Sequence, residues 1–241
     1  VQDEFGEYSG RPYADERVSL VIGDARGFVS ATGHRYDLIH VALLGGFGAS
    51  AAGLHALGEN YLYTVESFAA MLDALEPGGV LAVTNWVKLP PRDGLKTVAI
   101  AAAALKASGA QRPGDRPGER LAMIRGWNTS TLIVGSRPLT AEQIGRLREF
   151  AEERSFDLVH YPGMNETEAN RYNRLQEPWY YRGVERILGP GREAFFDNYK
   201  FNVRPATDNK PYFSQFLKWS SIPEILRLKG QGGLPLLEQG Y

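Results

Sequence analysis

The stretches RVSLVIGDARGFV (Arg17–Val29), YDLIHVALL (Tyr36–Leu44) and LEPGGVLAVTNW (Leu75–Trp86) decide the fold class. Each is a short apolar run with a turn signal at one end. Gly23-Asp24 closes the first run, Tyr36-Asp37 opens the second, and Pro77-Gly78-Gly79 launches the third. Buried strands of this kind, separated by helix-length segments, predict an α/β domain with a mostly parallel sheet. Ligands in such sheets sit at the carboxyl ends of the strands, which places Asp24 and the residues around Leu43 to Gly46 beside a small molecule.

Outward from these strands, the periodicity divides the chain into three parts. Residues 1–16 read as an irregular connector, 17–161 as the α/β domain, and 162–241 as an irregular, partly helical extension. Asp24 to Thr32 predicts a short helix entered through an Asp cap. Val65, Phe68, Met71, Leu72 and Leu75 recur at three and four, which predicts an amphipathic helix stopping at Pro77-Gly78-Gly79. Gly45 to Gly58 reads as a glycine-rich loop. Asp93 to Ser108 is alanine-rich and helical. Leu121–Arg125 and Thr131–Gly135 form an antiparallel pair about Trp127-Asn128. Thr140 with Gln143 forms a capping box at the head of a helix reaching Arg154, and Phe156–Tyr161 is a last strand. Short helices are expected around Asn165 to Leu175 and Val184 to Leu188.

Composition narrows the function classes. The 241 residues carry 27 basic and 28 acidic side chains, so no global field recruits nucleic acid or an anionic bilayer. There is no cysteine, which excludes disulfides, thiolate metal sites and a cysteine nucleophile. His34, His40, His55 and His160 show no metal-ligand spacing, and no metal is expected. No apolar run approaches the roughly 20 residues that span a bilayer, so the chain reads as a soluble piece, with both ends resembling cuts in a longer protein.

The order of Gly23-Asp24-Ala25, Tyr36-Asp37 and Leu75-Glu76-Pro77-Gly78-Gly79 resembles the class I S-adenosylmethionine-dependent methyltransferase fold, in its spermidine synthase branch, over about Arg17 to Ser136. The resemblance implies a partial Rossmann-like domain lacking its first strands and its glycine-rich loop. It implies S-adenosylmethionine or a related nucleoside as cofactor, with the Asp24 carboxylate accepting the adenine amino group and weak binding or none expected of this piece; Ala25 and Leu43 are further candidates for the cofactor site. Asp24 as a plain helix cap is the alternative, and the two roles are compatible.

Where that family places its catalytic acid after the Tyr-Asp strand, His40 to Gly46 holds no carboxylate, so aminopropyl transfer is not expected and methyl transfer fits better. His40 is a candidate base or a core histidine. Glu59 and Tyr63, with Tyr61 and Glu66, are candidates for the rim of an acceptor pocket, or else a plain helix entry; the acceptor itself is not identified.

The segment Arg204-Pro205-Ala206-Thr207-Asp208-Asn209-Lys210-Pro211-Tyr212-Phe213 resembles one in large bacterial membrane proteins that fuse a spermidine synthase-like domain to transmembrane helices. The resemblance implies a cytoplasmic domain on an inner-membrane protein, beside a transmembrane region. Trp219 to Tyr241 suits an interfacial helix or an ordinary amphipathic one. An Arg204–Asp208 pair is expected within the segment. An unpaired sheet edge would allow a homodimer. The rival expectation is a non-catalytic sensing or interaction domain; a phosphate-binding Rossmann enzyme is a third, without a glycine fingerprint here.

Overall fold

A computed structural model describes residues 6–43, 58–108, 114 and 116–219. The connector holds a single helical turn, α1 (Gly6–Ser9), and a 3-10 turn at Pro12–Ala14. Then come α2 (Ala25–Ala31), β1 (Tyr36–Val41), α3 (Val65–Asp73), β2 (Leu75–Trp86) and α4 (Asp93–Ala107). The hairpin β3 (Leu121–Arg125) and β4 (Thr129–Gly135) follows, then α5 (Ala141–Glu153), β5 (Asp157–His160), α6 (Trp179–Leu188) and α7 (Arg192–Asn198).

The five strands form one open mixed sheet in the order β1-β2-β4-β3-β5. The expectation of a mostly parallel sheet is corrected here. Only β1 and β2 run parallel, joined by the α3 crossover, and the other three pairings are antiparallel. The cause is the three-residue turn between β3 and β4: it is too short for a crossover, so β4 folds back and inserts between β2 and β3.

A second correction concerns Arg17–Ile22, which forms no regular strand. Strands exist by their ladders, and this segment finds no partner among the described residues: Leu20 is 58% and Ile22 94% exposed. Asp15 instead ties the segment's start into a turn, accepting bonds from both the backbone and the side chain of Arg17 at 2.9 Å.

Local chemistry explains the rest. The α3 helix starts where Thr64 caps it, accepting from the Ser67 amide at 3.2 Å, and buries Phe68, Met71 and Leu72. It ends at Asp73, earlier than its periodicity suggests, because Leu75 already belongs to β2. The Pro77-Gly78-Gly79 turn lies inside β2 as an irregularity against β1. Glycine is required there: a Cβ on Gly79 would lie 2.7 Å from the Tyr36 carbonyl oxygen, and Gly78 has φ +100°. The capping box of α5 forms as expected.

One face of the sheet, carrying Leu81, Val83, Leu132 and Val134, is buried in a single core with α3, α4 and α6. The C-terminal part joins that core, through Tyr180, Phe196, Phe201, Phe213 and Phe216. Its expected helix at Asn165–Leu175 shrinks to a 3-10 turn at Glu166–Glu168, whereas Val184–Leu188 falls within α6. On the opposite face Leu38, His40, Ala82, Thr84, Thr131 and Ile133 remain half-buried or exposed. The Gly45–Gly58 loop, apart from Gly58, and the helix expected beyond Trp219 lie outside the described residues. No helix among the described residues is long and apolar enough to cross a membrane.

Candidate functional site

A cleft of about 730 Å³ opens along the free edge of β1. Ser19 to Val21 form one bank, and Ile39 to Ala42 at the carboxyl end of β1 form the other. Phe28 and Val29 of α2 and Met71 of α3 supply apolar walls, while His34, Tyr36 and His40 bring the polar groups. This volume lies within the roughly 300–1,000 Å³ of small-molecule sites, and the mix of apolar walls with a few polar groups is typical of them.

Asp24 is not itself among the residues lining this cleft, although its neighbours Gly23 and Ala25 both line it. Its Oδ1 accepts from the Gly27 amide at 2.6 Å and so caps α2. Its Oδ2 takes no hydrogen bond among the described residues, leaving one carboxylate oxygen able to accept from a ligand. Leu43 is half-buried just past β1; its neighbour Ala42 reaches the cleft.

His40 is exposed at the rim, which corrects the core alternative. Its Nε2 lies 3.5 Å from Thr84 Oγ1, which in turn lies 3.0 Å from Thr131 Oγ1. Alternation along β1 sends His40 to the open face of the sheet rather than into the core.

The two other catalytic candidates are not brought together. Glu59 is exposed and accepts from the Tyr61 hydroxyl at 3.1 Å. Tyr63 is 4% exposed and points the other way, its ring 4.4 Å from that of Phe213. Its hydroxyl bonds with Asn85, and burial pushes its pKa up. Tyr63 is therefore a core residue, as the plain helix-entry reading has it.

The expected Arg204–Asp208 pair is also corrected. Arg204 pairs with Glu193 at 2.7 Å and Asp197 at 2.8 Å, whereas Asp208 pairs with Arg26 of α2.

Sequence reading missed a buried charged cluster beyond the carboxyl end of β2. Lys96, 2% exposed, donates to the carbonyls of Tyr212 and Gln215 at 3.0 and 3.1 Å, with its Nζ 5.0 Å from the centre of the Phe216 ring. Desolvation lowers its pKa to about 7, while neighbouring Asp93 favours the charged form. Asp93 has a buried Oδ2 without a hydrogen bond, and desolvation holds its carboxyl above the usual range. The signal was present, since Lys96 sits beside the long apolar stretch Val98–Leu105 of an alanine-rich helix, two turns and more from the helix's other lysine, Lys106.

Among the described residues no group of three or more His, Asp or Glu could hold a metal ion. No known family matches the chain, and no curated protein matches it significantly.

Proposed function

We propose that the cleft beside β1 is a nucleoside site of the S-adenosylmethionine type, in a spermidine synthase-like transferase domain that does not itself transfer aminopropyl groups. The observation that supports this reading is a small-molecule-sized cleft at a strand's carboxyl end, lined by Gly23 and Ala25 on either side of Asp24, whose carboxylate has one oxygen uncommitted. Adenine would place its exocyclic amine on Asp24 Oδ2 and its ring against Phe28 and Val29, with Ala25 close to the base. If the domain is catalytic, methyl transfer suits it best, and His40, which shares the cleft with His34 and Tyr36, is the candidate base. The resemblance of Arg204–Phe213 further supports a cytoplasmic domain attached to a bacterial inner-membrane protein.

The test is calorimetric titration with S-adenosylmethionine and methylthioadenosine. Asp24→Ser keeps a capping oxygen but removes the free carboxylate, so it should weaken binding by roughly 10- to 100-fold, the loss of one charge-assisted bond. Wild-type affinity in Asp24→Ser would remove Asp24 from the site, and no binding of either nucleoside would remove the reading.

One observation favours a second reading, a non-catalytic sensing or interaction domain. Glu59 faces solvent and Tyr63 faces the core, so the acid–base candidates do not converge on the cleft. Nucleoside binding without methyl transfer to any amine, thiol or hydroxyl acceptor would select it.

A further inference from the structure

The loop Arg204–Phe213 is unused by the nucleoside reading, yet it bonds to the elements that carry the cleft's walls. Asp208 reaches back across 182 residues to α2, where Arg26 Nη1 and Nη2 donate to its Oδ1 and Oδ2 at 2.7 and 2.6 Å. This fork-on-fork pairing fixes orientation as well as distance. The same Oδ1 accepts from Thr64 Oγ1 at 2.8 Å, and the Asp208 amide donates to Glu66 at 2.9 Å, so the loop also grips the first turn of α3. Two main-chain bonds complete the grip: the Val65 amide to the Ala206 carbonyl at 2.9 Å, and the Asn60 amide to the Pro211 carbonyl at 2.7 Å.

The two elements so joined are walls of one cleft. Ala25, Phe28 and Val29 of α2 form one side, and Leu62, between Asn60 and Thr64, forms another. By itself α2 is weakly held, since none of its residues is buried. Arg26 and Asp208 are only partly exposed, at 25% and 35% of their side chains, which shields the pair from part of the solvent's screening.

We propose that Asp208 is a positioning residue for the cleft, acting through Arg26 to latch α2 against the start of α3, so that the C-terminal loop sets the cleft's aperture. The inference concerns the wall and not its occupant, and it stands whichever ligand binds. Release of the loop frees α2 and opens the cleft while the sheet and α4 stay intact.

Amide exchange of the full chain tests this, together with a thiol probe. The chain lacks cysteine, so Val29→Cys supplies a single reporter in the cleft wall. Asp208→Asn keeps an acceptor for Thr64 but removes the charge facing Arg26. It should raise exchange across residues 24–31 and maleimide labelling of the reporter by about tenfold, with α4 and β4 unchanged, as expected for local opening. Arg26→Lys should fall between, because an ammonium cannot reproduce the bidentate fork. The exchanged pair Arg26→Asp with Asp208→Arg should restore most of the protection. Unchanged exchange in α2 overturns the proposal. So does an equal rise across the whole chain, which would make Asp208 a support of the core, and so does a failure of the exchanged pair to recover any protection beyond the single variants.

Discussion

Lys96→Met should flatten the protein's stability profile between pH 7 and 9. An unfolded lysine keeps its ordinary pKa of 10.5, whereas burial lowers that of Lys96 to about 7. Between those values the unfolded chain binds a proton that the folded chain does not, so stability rises with pH and declines as pH falls toward 7. At about 1.4 kcal/mol per pH unit, the two units from pH 7 to 9 set an upper bound of roughly 2.5 kcal/mol. The two carbonyls and the two ring faces favour the ammonium and reduce this, leaving an expected rise of about 1–2 kcal/mol. The window stays below the titration of the buried Tyr180 and Tyr199 hydroxyls, which burial pushes upward. Urea denaturation of wild type and Lys96→Met at pH 7, 8 and 9 reads the difference directly. Parallel profiles for the two proteins would refute the reasoning, because Lys96 would then carry its proton equally in both states.

Other substitutions follow from the same contacts. Asp157→Ala strands the Arg125 guanidinium, 3% exposed and 3.1 Å from Asp157, and should cost roughly 3–5 kcal/mol in denaturant unfolding. Gly183→Ala puts a methyl 2.7 Å from Leu95 Cδ1 where α6 crosses α4, and should cost about 1–3 kcal/mol, with Leu95→Ala in the same chain relieving part of the clash. Thr140→Ala removes the capping box of α5 and should lower stability by about 1 kcal/mol, whereas Thr140→Ser should not.

What was legible in the sequence was local. The cap at Asp24, the capping box at Thr140, the hairpin about Trp127-Asn128 and the apolar face of α3 each depend on residues a few positions apart, and they form as read. Sheet direction did not follow from the apolar runs, because a run that feeds a parallel strand looks the same as one that feeds an antiparallel strand until its neighbour is known. Arg17–Ile22 shows the same limit, since its composition suits a strand but a ladder needs a second chain segment. At the site, Ala25 lines the cleft, whereas Asp24, read from the end of a strand that does not form, lies outside the lining. The pairing of Arg26 with Asp208 could not be read from the sequence, because nothing local marks one as the other's partner and Arg204 lay nearer in sequence. Tyr63 was ambiguous for a related reason: a tyrosine at a helix entry serves a pocket or a core depending on the aromatic it meets, here Phe213.

The position of β4 governs the order of assembly. β2 borders β1 on one side, but its other side stays open until β4 arrives, and Val80 meets Gly135 and Trp86 meets Thr129 across more than forty residues of intervening chain. Closing that long loop must precede completion of the central ladder, so nucleation should centre on the β2–α4–β4 unit, with β1 and α2 joining afterwards.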